Sequence, residues 1–136
     1  MGFALEQDKH YTYRDYLTWP DDFRCELIEG KVYLMTPAPV LAHQDVAGEI
    51  FVQAKQALRG KPCRAFIAPV DVRLPSHAEA DDDTDIVVQP DVLVVCNPDK
   101  LDRRGVRGAP DWVVEVLSPS TAGKDQIEKR RIYERH

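Results

Sequence analysis

A chain of 136 residues that is 43% hydrophobic is long enough for one domain around one sizeable core, and argues against two. Its net charge of -5, from 18 Lys and Arg against 23 Asp and Glu, excludes a global electrostatic pull toward nucleic acid, so any polyanion must be bound locally. No apolar run approaches the roughly 20 residues of a membrane span, and Met1 to Asp8 lacks the basic and apolar regions of a secretion signal, so a soluble cytoplasmic protein with no membrane partner is expected.

Thr12, with Asp15 three residues on, predicts a short helix through Tyr16 and Leu17 that Pro20 stops. Cys25 to Ile28 and Val32 to Met35 flank Glu29, Gly30 and Lys31, a hairpin signal. Val46, Ala47, Ile50, Phe51, Ala54, Ala57 and Leu58 recur at helical spacing and predict the longest helix, from about Ala42 to Leu58, with Gly60 as its stop. His43 falls on the side facing the core or the sheet, as a core or capping histidine or as a ligand. Ala65 to Leu74 is expected as one strand, with Val70, Val72 and Leu74 inward and Asp71 and Arg73 on a polar face, which makes Asp71 a surface acid or, alternatively, one that faces the site. The cluster Glu79, Asp81, Asp82, Asp83 and Asp85 imitates a calcium loop. Ile86 stands where the turn glycine belongs and Val92 where the closing glutamate belongs, which leaves a solvated hairpin loop. Cys25, Cys63 and Cys96 have no metal-type spacing and imply no disulfide framework, as in a reduced, intracellular protein. Lys100, Arg103, Arg104 and Arg107 in one loop, and Lys124, Arg130, Arg131 and Arg135 on the last helix, are candidate basic patches or simply solubilising charge.

The most informative residues are acids inside apolar runs. Ile86 to Val95 contains Asp91, and Trp112 to Leu117 contains Glu115; both runs have the composition of fully buried strands. In neighbouring strands the two carboxylates can approach to about 4 Å, where like charges repel by roughly 4 kcal/mol at an effective dielectric near 20. A divalent cation would remove that cost. The next helix, starting at Asp125 with Glu128 as a capping-box partner, places Asp125, Lys129, Ile132, Tyr133 and His136 on one side and Arg130 on the other. Lys129 therefore either joins the two acids or pairs with Asp125 one turn earlier as a surface contact. There is no internal repeat, glycine-rich phosphate loop or serine or cysteine elbow, so nucleotide hydrolysis and acyl transfer lack support.

Pro90 and Asp91, then Glu115 and Val116, then a lysine, resemble the PD-(D/E)XK nuclease superfamily, except that Leu117 occupies the position expected of the lysine. A longer pattern restores the match. It comprises Cys25, Glu26, Leu27, Ile28, Glu29 and Gly30; Thr36, Pro37 and His43; Gln89, Pro90 and Asp91; and Glu115 to Thr121 followed by Asp125, Lys129 and Tyr133. In that order the residues resemble the Uma-two family of putative restriction endonucleases, in which the lysine has moved to the following helix. The resemblance covers nearly the whole chain.

It implies an α/β, restriction-endonuclease-like three-layer fold, a mixed central β-sheet flanked by helices, as a single nuclease-like domain over 1–136. It also implies Mg²⁺ or Mn²⁺ held by Asp91, Glu115 and the Val116 carbonyl, with Lys129 orienting water or neutralising charge and acting, if desolvated, in proton transfer. Glu26 matches an acid ahead of the hairpin, as a further ligand or supporting group. His43 also matches, without an implied role. The expected activity is hydrolysis of DNA phosphodiester bonds; the alternative is a non-catalytic nucleic-acid or protein interaction module on the same fold. The final helix ends without a glycine cap or breaker, and the resemblance implies further strands, so a truncated chain that covers an open sheet edge as a homodimer is expected.

Overall fold

Turn chemistry sets the first paired strands. In the computed structural model, which describes residues 5–6, 8–35, 40–117 and 124–136, with the backbone alone for 124–128, β1 (Cys25–Ile28) and β2 (Lys31–Leu34) form an antiparallel hairpin. Glu29 and Gly30 join them with φ of 52 and 80, the pair of left-handed residues that matches strand twist in a two-residue turn. Glycine is required at the second position, because a Cβ there would overlap the His10 ring. Just upstream, α1 (Tyr13–Tyr16) is capped as its sequence suggests, with Thr12 N–H donating to Asp15 Oδ2 at 3.0 Å.

Two apolar runs expected as single strands are each broken in two. β3 (Arg64–Ile67) and β4 (Val72–Arg73) lie in different sheets, as do β5 (Val87–Val88) and β6 (Val92–Val95). Pro69 and Pro90 interrupt the runs because proline donates no ladder hydrogen bond. The two breaks are tied together where Ala68 N–H donates to Asp91 O at 3.0 Å. β7 (Leu101–Asp102), β8 (Gly105–Arg107) and β9 (Trp112–Val114) complete the strands. One sheet runs β2-β1-β5-β4-β8-β7, mixed because β4 and β8 are parallel; the other runs β3-β6-β9, all antiparallel. α2 (Leu41–Ala57) packs on β3 and β6. From α3 (Lys124–Arg135), Ile132 enters a core shared with Val72, Val88, Leu93 and Val95, so both sheets and α3 enclose the same apolar interior. The mixed α/β class expected from the sequence is the one that forms.

Several expectations change. β6 is buried throughout, but β9 is not: it is the edge of its sheet, and Trp112 is 49% exposed. On α2 only Ala47 is buried, while Val46 is 47% exposed. Arg73, expected on a polar face, is buried; its guanidinium bonds Asp81 Oδ2 and Asp102 Oδ1, each at 2.7 Å, above the Tyr13 ring. Asp81 also takes Arg104 and Arg107, so the acidic and basic loops neutralise each other instead of being separately solvated. Asp71 is not a free surface acid, since Tyr16 OH and Gln89 Nε2 both donate to its Oδ1 at 2.8 Å. Cys63 and Cys96 form a disulfide. They sit one step beyond the Arg64 and Val95 pair of the β3–β6 ladder, which holds them opposite each other with Cα atoms 3.9 Å apart.

Candidate functional site

The β6–β9 register sets the two acids against each other. Val92 pairs with Val114, so Asp91 and Glu115 are the next positions outward. Directly opposed residues of an antiparallel pair hold their Cβ atoms about 4.5–5.5 Å apart. Asp91 Oδ2 accepts the Val116 N–H at 2.7 Å and lies 3.3 Å from His43 Nε2, which the first turn of α2 supplies. The helical spacing of Lys129, Ile132 and Tyr133 turns all three inward from α3. Ile132 is fully buried and Lys129 is 6% exposed. Lys129 Nζ reaches Glu115 Oε1 at 2.5 Å and Glu26 Oε2, from β1, at 2.9 Å. Tyr133 OH donates to Glu115 Oε1 at 3.1 Å, and Gln89 N–H donates to Glu26 Oε2 at 2.6 Å.

Burial and crowding decide the protonation states. Desolvation pulls the Lys129 pKa down, but Glu26 and Glu115 outweigh it and raise it above the ordinary lysine value. The two carboxylates thus favour the charged form of the lysine. Burial pushes Glu115 up to about 7; Lys129 opposes the rise, while Glu26 and Asp91 add to it. Glu26 and Glu115 share the one ammonium, and Asp91 beside them adds to the negative charge around Glu115. Tyr133 is held well above its ordinary value by burial and then by the Glu115 charge, so it stays a hydroxyl donor.

The structure thus brings Glu26, Asp91, Glu115 and Lys129 together, with His43 beside Asp91. Sequence reasoning missed Tyr133 and the Gln89 N–H as members of the cluster. The i, i+4 spacing of Lys129 and Tyr133 was the available signal for the first; the second is a backbone group with none. The side chains of Asp125 and Glu128, and residues Thr36, Pro37 and Ser118 to Thr121, lie outside the described residues. Among the described residues no group of three or more His, Cys, Asp and Glu has a metal-cage arrangement. Mg²⁺ does not need one, since it keeps several waters and takes one or two carboxylates. Among those residues, the bonds to Asp91 fall on Oδ2 and those to Glu115 on Oε1, leaving Oδ1 and Oε2 as donors. Two hard oxygens in a site with surplus negative charge fit such an ion.

A family model, Uma2, described as "Putative restriction endonuclease", matches residues 13–136. The chain belongs to the Uma2 family. Among solved structures, this Uma2 chain is similar to a putative nuclease belonging to DUF820 from Anabaena variabilis ATCC 29413. The TM-score is 0.63 at 23% identity, over 88% of this chain and 64% of that one. The likeness establishes a shared fold, and the Uma2 chain spans 64% of the neighbour's length. No curated protein matches it.

Proposed function

We propose that the chain is a metal-dependent endonuclease that hydrolyses DNA phosphodiester bonds, with Asp91, Glu115 and the Val116 carbonyl holding Mg²⁺ or Mn²⁺. The observation that carries this reading is the buried Lys129 ammonium fixed between Glu26 and Glu115 beside Asp91. When bound, the ion supplies Lewis acidity to the phosphate oxygens and acidifies water. Val116 N–H and His43 hold the Asp91 carboxylate by one oxygen and present the other. Tyr133 does the same for Glu115. Lys129, kept charged, neutralises negative charge as it develops on the phosphate, and Glu26 holds the ammonium in place. A non-catalytic module on the same fold would do as well with apolar residues in place of the whole cluster, since a buried ion pair is often no more stabilising than a packed hydrophobic one.

Plasmid cleavage in Mg²⁺ and Mn²⁺, comparing the parent with Asp91→Asn and Lys129→Ala, tests the reading. Cleavage should vanish in both variants, and only Asp91→Asn should also lose the thermal stabilisation by Mn²⁺ expected from mass action. A parent that neither cleaves nor gains stability from Mn²⁺ would overturn it. We also propose a homodimer that covers the β9 edge, where Trp112 is 49% and Leu117 59% exposed; a concentration-independent monomer in light scattering would refute this. No helix among the described residues is long and apolar enough to cross a membrane. The cytoplasmic placement argued from unpaired cysteines loses that support, because Cys63 and Cys96 are bonded.

A further inference from the structure

In the two basic patches visible in the sequence, five arginines are paired with acids in the fold. Arg104 and Arg107 face Asp81, while Lys100 and Arg103 of the same loop are in no ion pair among the described residues. On α3, Arg130 pairs with Glu134, and Arg131 and Arg135 with Glu29. A third stretch behaves differently. Between Glu49 and Asp71 the chain has no acidic residue but carries Lys55, Arg59, Lys61 and Arg64. All four are exposed, and among the described residues none of them is in an ion pair. They stand at the end of α2 and the start of β3, elements packed on each other. Lys55 and Arg64 lie over the rings of Phe51 and Phe66 at 5.8 and 5.1 Å, which orders the cations without neutralising them. The Cys63–Cys96 disulfide ties the Lys61 to Arg64 turn to the end of β6.

We infer that Lys55, Arg59, Lys61 and Arg64 form a docking patch for the phosphate backbone of duplex DNA. The inference rests on the nuclease reading and says where the substrate lies. In an acidic protein a local patch must supply the electrostatic attraction, and releasing counterions from phosphates rewards unpaired cations, not those already bound to carboxylates. Position agrees. Arg64 pairs with Val95, four residues along β6 from Asp91, a separation of about 14 Å. A duplex covers that in about four base steps. Arg64 can therefore hold the backbone while the bond to be cut sits at Asp91, Glu115 and Lys129, with Lys55, Arg59 and Lys61 extending the contact along the duplex. The patch carries no base-reading geometry, so it confers affinity without sequence preference.

The test is fluorescence anisotropy with a short labelled duplex, in chelator to prevent cleavage, across a salt series. The variant Lys55→Gln/Arg59→Gln/Lys61→Gln/Arg64→Gln should bind at least tenfold more weakly at low salt. Its slope of log K against log salt should be shallower by about 3 to 4, one phosphate per lost cation. Removing four charges elsewhere, with Lys9→Gln/Arg14→Gln/Lys31→Gln/Arg130→Gln, should leave the slope within about one of the parent. Equal losses in the two variants would overturn the patch and leave only net charge; a thermal melt confirms that each remains folded. If the parent cleaves plasmid DNA and the patch variant binds as the parent does, the patch is wrong and the nuclease reading stands. If the parent binds duplex through the patch but never cleaves, the reverse holds. A parent that ignores duplex DNA but binds phosphatidylserine-containing vesicles through these residues would assign the patch to a membrane surface and overturn the inference.

Discussion

Replacing Lys129 by methionine keeps the apolar stem and removes the charge, which isolates the electrostatics of the cluster. Lys129 Nζ lies 2.5 Å from Glu115 Oε1 and 2.9 Å from Glu26 Oε2, and the residue is 6% exposed. Breaking a buried pair from one side leaves an uncompensated charge and costs about 3–5 kcal/mol, so the variant should lose that much at about pH 8. The escape is protonation. Burial already holds Glu115 at about 7 against an ordinary 4.5, and the lost lysine was lowering it. Keeping such an acid neutral in the folded state at about pH 8 costs roughly 4.8 kcal/mol, and at about pH 5 roughly 0.7. The folded variant binds protons that the unfolded chain releases, so its deficit grows with pH. The parent's own Glu115 already loses stability up to about pH 7, so relative to the parent the deficit should shrink by about 1.4 kcal/mol between about pH 8 and pH 5. Urea unfolding followed by circular dichroism at both pH values measures this directly. A deficit equal at both, or absent at the higher one, would mean that Lys129 is solvated and uncoupled. Should the variant fail to fold at the higher pH, adding Glu115→Gln is expected to restore it.

Glu115→Gln in the parent gives the complementary result. The folded pKa of Glu115, about 7, lies above its unfolded 4.5. Stability is therefore lost as pH rises through that window, by roughly 3 kcal/mol. The glutamine variant should flatten that slope in urea titrations, and an unchanged slope would assign it to other groups. Cys63→Ser/Cys96→Ser opens a link with a sequence separation of 33, worth about 3.7 kcal/mol by chain entropy; a denaturant midpoint identical to the parent's would show that the bond constrains nothing. Arg73→Leu leaves Asp81 and Asp102 without their buried guanidinium and should cost about 3 kcal/mol, read as a lowered thermal midpoint that recovers at acid pH.

What was legible from the sequence follows from what is energetically local. An acid inside an apolar run is conspicuous because burying it is costly, so Asp91 and Glu115 stood out without a partner in view. Helical periodicity put Lys129 on the face of Ile132 and Tyr133 but left open whether it joined the acids or paired with Asp125, and the Glu29 and Gly30 turn followed from its own backbone demands. The strand breaks were not legible. Val87 and Leu93 are apolar whichever sheet receives them, and a run can change sheets at Pro90 without changing its hydrophobic pattern. Arg73 misled for the opposite reason. Alternation gives it to a polar face, yet its partners Asp81 and Asp102 arrive from 8 and 29 residues away, and only the assembled sheet brings them there. The Cys63 and Cys96 pair depends in the same way on the β3–β6 register. The same breaks that hid the topology also make the site: Pro90 separates β5 from β6 and leaves Asp91 just ahead of β6, while the Gln89 N–H just before it anchors Glu26. A chain running straight through this position would keep its ladder and lose the place where β1, β6 and α3 meet. The interruption of the apolar pattern is therefore the fold feature on which the placement of Glu26, Asp91 and Lys129 depends.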